Sequence, residues 1–139
     1  PRLFHQVVTL AYRAPELVLG SRRHHTGIDM WAAGCVFAEL HTASRVFEAT
    51  SEIGLLSAII GLIGAPTTDA WPGMADLPLR MEFADIPPKP LEEAFPTMSA
   101  DARDLLGKML VYNFIASSAF PHWSPTKVKN VVVFIVFGL

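Results

Sequence analysis

Few side chains in this chain have the type and spacing to do chemistry. The single thiol, Cys35, lies in the most apolar helical stretch, residues 28–40, which predicts a buried, inert sulfur and not a nucleophile. One cysteine allows neither an internal disulfide framework nor a cysteine-based zinc site. Adjacent His24 and His25 point in different directions on a strand or a helix. No carboxylate or thiol cluster accompanies them, so no metal site is expected there. Arg22 and Arg23 could hold a phosphate, but two neighbouring arginines read first as a solvated turn. Trp31, Trp71 and Trp123 read as core or anchor residues, because no basic groove accompanies them to make a stacking platform. The run Thr26-Gly27-Ile28-Asp29 has the Thr-x-x-acid spacing of a helix start. There a threonine oxygen caps backbone N–H groups and the carboxylate sits in the positive first turn.

These residues are positioned by a chain with the length of one domain, 139 residues, and an apolar composition: 51% hydrophobic and 17% charged. The mean hydropathy is +0.36. More apolar surface than an average soluble domain carries implies that some of it needs a partner. A net charge of −2 gives no global field for nucleic acid or an acidic membrane, so neither is expected as a direct partner. The N-terminus does not read as a signal peptide, which leaves a reducing compartment, nucleus and/or cytoplasm, as the expectation. The longest apolar run, residues 131–139, is far short of the roughly 20 needed to span a bilayer.

The expected architecture is mainly α. Residues 1–26 read as loop, with a short helix at 15–19 where Pro15 suits the first helical position. Residues 27–64 read as two helices. The first, 28–40, is apolar around nearly its whole circumference and is expected to be buried on all sides, as a central pillar. The second runs from Ser51-Glu52 to about residue 63 and is closed by Gly64 and stopped by Pro66. Residues 65–98 hold seven of the eleven prolines. They read as an ordered insert, because Trp71, Leu77, Met81, Phe83, Leu91 and Phe95 are interleaved as anchors. Residues 99–113 read as a helix capped by Ser99 and running to about residue 112, with Leu105, Leu106, Met109 and Leu110 on one face. Residues 114–139 form a divergent apolar tail whose last segment is an aggregation hazard if exposed.

"VVTLAYRAPELVLG", "DMWAAGCVFAEL" and "LIGAPTTDAWPGM", in that order, resemble the large lobe of a eukaryotic protein kinase, from the end of the activation segment onward. "YRAPE", the G-x-P-T element and the proline-rich insert resemble the cyclin-dependent branch. "HQVVT" and "DAWPGM" look most like the members that activate other cyclin-dependent kinases and phosphorylate the RNA polymerase II tail. The resemblance covers about residues 4–113 and implies an incomplete large lobe.

It also implies roles. Val7, Val8, Leu10 and Arg13 match the pocket that accepts proline after the phosphorylated Ser or Thr. Thr9 matches the threonine that contacts the catalytic aspartate and lysine. Glu16 matches the acid that pairs with a buried arginine, and Asp29 matches the aspartate that braces the catalytic loop. A cyclin-type subunit and protein substrates are the implied partners, with ATP and Mg the implied cofactors of the whole kinase. Phe4 stands where the family has its activating phosphothreonine, and Ala11 replaces a tryptophan. "FIASSAF" has no arginine to meet Glu16.

Phosphoryl transfer needs a glycine-rich loop, a strand lysine, a catalytic aspartate and metal-binding Asp and Asn. No G-x-G-x-x-G, V-A-I-K, H-R-D or D-F-G occurs in the sequence. Hence no catalytic, ATP-binding or metal residue is assigned. The chain reads as a piece that begins in the middle of something larger and is inactive and marginally stable alone. The alternatives are a non-catalytic binding module that holds kinase substrates or regulators, and a helical domain with coincidental motifs.

Overall fold

A computed structural model of the chain describes residues 10–113. Five α-helices and two short 3-10 turns make up the regular structure there, and no strand occurs among the described residues. The mainly α expectation holds for this region.

Pro15 starts the first helix, α1 (Pro15–Val18), because a residue without an N–H costs nothing where the N–H has no intrahelical acceptor. The pillar, α2 (Thr26–Thr42), is longer than its apolar stretch by two residues at each end. Its cap is not Thr26, which is already helical. His25 occupies that position, and its Nδ1 accepts the N–H of Gly27 at 3.1 Å. An imidazole nitrogen can do the work of a threonine oxygen here, which the Thr-x-x-acid spacing concealed. The helix ends at Ala43, in the left-handed region at φ 57, with its N–H on Glu39 O.

Met30, Trp31, Ala33, Cys35 and Ala38 of α2 are buried. Trp31 stacks on Phe47, with ring centroids 5.8 Å apart, and both belong to the core with Leu55 and Ile59 of α3 (Glu52–Ile63) and Leu106 of α5 (Ala100–Met109). Burial is not complete around the pillar. Leu40 is 70% exposed, on a side of the helix that the described elements leave uncovered although Ala38 of the same turn is buried, and Asp29 is exposed in the first turn. Gly34 is where α2 and α5 meet. A Cβ there would lie 3.0 Å from both Met109 Cβ and Leu110 Cδ2, so only glycine allows this approach without a shift.

Helix α3 is capped by Ser51 Oγ, which accepts the N–H of Gly54, and α5 by Ser99 Oγ, which accepts that of Ala102. The proline-rich segment is ordered by backbone bonds within itself, to the end of α1 and to α3. Leu79 N–H donates to Leu19 O, Ala65 N–H to Ile86 O, and Lys89 N–H to Leu62 O. It contains a 3-10 turn (Pro72–Asp76) and a short helix, α4 (Leu91–Ala94). Trp71 and Phe95 are buried as anchors, but Met81 is 44% exposed and anchors nothing. Helix α5 stops at Met109, short of the expected residue 112. Tyr112 leaves the helix to stack on Trp71 at 5.3 Å and to donate its hydroxyl to Gly64 O at 2.6 Å. A carbonyl left open at the end of α3 is satisfied in exchange for the last helical turn of α5.

Candidate functional site

The residues singled out from sequence lie at the start of the described region, where a 3-10 turn (Leu10–Tyr12) leads into α1. Val7, Val8 and Thr9 lie outside the described residues. Leu10 opens the turn, half-buried, and its carbonyl accepts the N–H of Arg13 at 3.0 Å. Arg13 is locked across the fold: its guanidinium donates to Glu52 Oε1 at 2.6 Å, at the first turn of α3. The arginine is largely covered and the glutamate is half in solvent. Next to it, Tyr12 donates its hydroxyl to Glu39 of α2. That bond, with burial second, raises the phenol above its ordinary value. Two consecutive side chains thus tie the turn to the two long helices.

Glu16 and Asp29, the two support residues, part company. Glu16, in the first turn of α1, is 8% exposed. Its polar neighbour is His25, whose Nε2 lies 3.3 Å from Glu16 Oε1. Because Nδ1 of His25 accepts from Gly27, the neutral ring carries its proton on Nε2 and turns it toward the carboxylate. Burial lowers the pKa of His25 and pushes that of Glu16 up to about 7. The geometry meets the distance for an ion pair, but both shifts oppose charging either partner. We therefore read the contact as a weak hydrogen bond at neutral pH, long for its kind. Asp29 points to no backbone N–H among the described residues and stands in solvent, and the chain has no H-R-D loop for it to brace.

Sequence reasoning missed four members of this constellation. Glu52 was read only as a helix start, and Tyr12 and Glu39 were not singled out. His25 was weighed only as a metal ligand. The first three are joined by contacts 27 and 39 residues apart, for which local spacing carries no signal. His25 had a local one: it directly precedes the pillar, the place of a cap. The remaining candidates follow expectation. Cys35 is buried and its thiol is pushed up to about 12 by burial. Arg22 and Arg23 are exposed.

The donor set does not fit ATP or magnesium. No group of three or more His, Cys, Asp or Glu converges among the described residues, and no glycine-rich phosphate loop is present in the sequence. No step of phosphoryl transfer is derived from these side chains. What they form is a fixed platform: a turn held by Arg13 and Tyr12, followed by a short helix with a buried acid.

That order of parts agrees with the family comparison, in which the protein kinase domain matches residues 2–116. The chain belongs to the protein kinase family. Among curated relatives it is 44% identical over 110 residues to cyclin-dependent kinase 20 of Danio rerio, covering 78% of this chain and 32% of that protein. It is 43% identical over 108 residues to cyclin-dependent kinase B2-2 of Arabidopsis thaliana, covering 78% and 34%. Cyclin-dependent kinase D-1 of the same plant is 43% identical over 109 residues, covering 78% and 27%. This kinase chain is thus of the cyclin-dependent branch and spans about a third of the length of the curated relatives it matches. Its described helices are part of the large lobe.

Proposed function

We propose that this chain is the substrate-side part of a cyclin-dependent-type serine/threonine kinase. The whole enzyme transfers the γ-phosphate of ATP, with Mg, to Ser or Thr followed by proline, in cell-cycle kinase activation or on the RNA polymerase II tail. The observation that carries the reading is the platform at Leu10–Arg13, pinned by Arg13 to Glu52 and by Tyr12 to Glu39. It lies in a chain whose relatives are named cyclin-dependent kinases. Val7, Val8, Leu10 and Arg13 would form the proline-accepting pocket, which suits a ring that has no N–H to satisfy. Thr9 would contact the catalytic residues, while Glu16 and Asp29 support their loop. A cyclin-type subunit and a nuclear or cytoplasmic location go with this reading. So do the boundaries given above, 1–113 for the lobe piece and 114–139 for the tail.

Without the phosphate-binding and catalytic motifs, the 139-residue chain is inactive alone. The test is to recover the endogenous product with an antibody to residues 71–95, determine its intact mass and assay it with MgATP. A product much larger than 15.2 kDa that phosphorylates a Ser-Pro peptide is expected. An inactive product of 15.2 kDa would overturn the proposal and favour the non-catalytic binding module.

A further inference from the structure

We propose that the groove between the end of α2, helix α3 and the segment around α4 is a docking site for an acidic peptide segment of another protein. The groove holds about 660 Å³ and lies on the far side of α3's sequence from its Glu52 end. Its charged and polar lining is one-sided: Arg45, Lys89 and His41 with the hydroxyls of Thr42, Ser44 and Thr97. No Asp or Glu among the described residues lines it, in a chain whose net charge is −2. The Thr42 hydroxyl is already donated to Ala38 O and that of Ser44 to Thr42, so the cations carry the argument: without a competing carboxylate they favour an anionic ligand.

The apolar part of the lining, Val46, Leu62 and Phe95, suits uncharged side chains interleaved with the acids of an extended peptide. The lining is also preorganised. Lys89 is held by its own N–H on Leu62 O at 2.9 Å, while its side chain is exposed and unpartnered among the described residues. His41 donates from Nδ1 to Phe37 O at 2.9 Å and rests on the Phe37 ring. Arg45 approaches the Tyr12 hydroxyl, so part of its charge is already met by Glu39 and Lys89 supplies the uncommitted one.

The chain's own tail cannot provide the ligand's charge, because residues 114–139 contain no Asp or Glu. Gly61 lies in the lining, and a Cβ there meets nothing within 4 Å, so a side chain can start from this position without a backbone clash.

The full 139-residue chain is titrated into a fluorescein-labelled peptide of alternating Glu and Leu, with the Lys/Leu counterpart and inorganic phosphate as comparisons. The expected result is an anisotropy rise with the acidic peptide only, weakened by salt. Affinity falls roughly tenfold in Lys89→Glu, a change of charge sign at an exposed position. It also falls in Gly61→Phe, whose far-ultraviolet dichroism stays that of the parent chain. Equal binding by both variants would overturn the proposal. So would equal binding of the Lys/Leu peptide, displacement of the acidic peptide by inorganic phosphate at equal charge concentration, or self-association through Glu92 and Glu93 of a second copy.

Discussion

Replacing Glu16 by glutamine keeps the shape of a buried side chain and removes its charge. Burial moves this carboxyl from its ordinary 4.5 to about 7. At about 1.4 kcal/mol per pH unit, the folded state disfavours the ionised form by roughly 3 kcal/mol. The sign follows from proton binding. Between the two values the folded chain keeps the proton and the unfolded chain has lost it, so stability falls as pH rises through that window. It is then flat above about pH 7, and the Glu16 contribution is fully favourable only below its unfolded value. His25 slopes the other way, because burial lowers its pKa and an unfolded imidazole takes up protons first. The readout is therefore the difference between Glu16→Gln and the parent chain, in thermal melts followed by dichroism from pH 4 to 8. The variant should gain stability over the parent progressively from pH 4.5 to 7. The gain levels off near 3 kcal/mol, or roughly 10 °C for a domain of this size. Parallel curves at every pH would refute the reasoning, because folding would then leave the carboxyl's pKa unchanged, and a gain of the parent over the variant with rising pH would show the acid paired as an ion.

Four further outcomes follow from packing and burial. Gly34→Val should cost about 1–3 kcal/mol in chemical denaturation by forcing α2 from α5, whereas Gly61→Ala, on an open face of α3, should gain up to about 1 kcal/mol. Tyr112→Phe keeps the stack on Trp71 but loses the bond to Gly64 O, and should lower stability by about 1 kcal/mol. Cys35, with its thiol pushed up to about 12, should resist iodoacetamide at pH 8 in the folded chain and be alkylated once denaturant exposes it, as read by mass.

Helix-scale features were legible because their signals are local. Ser51 and Ser99 cap the helices they precede, and Pro15 opens α1. The apolar stretch of α2 marked its buried length, though not the exposure of Leu40, since composition cannot say where neighbouring elements stop. Met81 failed as an anchor for the same reason, while Trp71 found Tyr112. Tyr112 could not be placed from the α5 pattern, because its partner is Gly64, 48 residues earlier. Of the site, the helix-bearing acids were legible as positions, but Glu52 and Glu39 as partners of Arg13 and Tyr12 were not. At Glu16 the motif asks for an arginine, and the fold puts a histidine there at 3.3 Å.

Grafting residues 2–113 in place of the matching segment of Arabidopsis cyclin-dependent kinase D-1 tests the substrate-side role most directly. With MgATP and its cyclin-type subunit, the chimera should phosphorylate a Ser-Pro peptide in preference to its Ser-Ala counterpart, with Arg13→Ala weakening that preference through KM. A folded, ATP-binding chimera that phosphorylates both peptides alike, or neither, would contradict the assignment of residues 7–13 to proline-directed substrate binding.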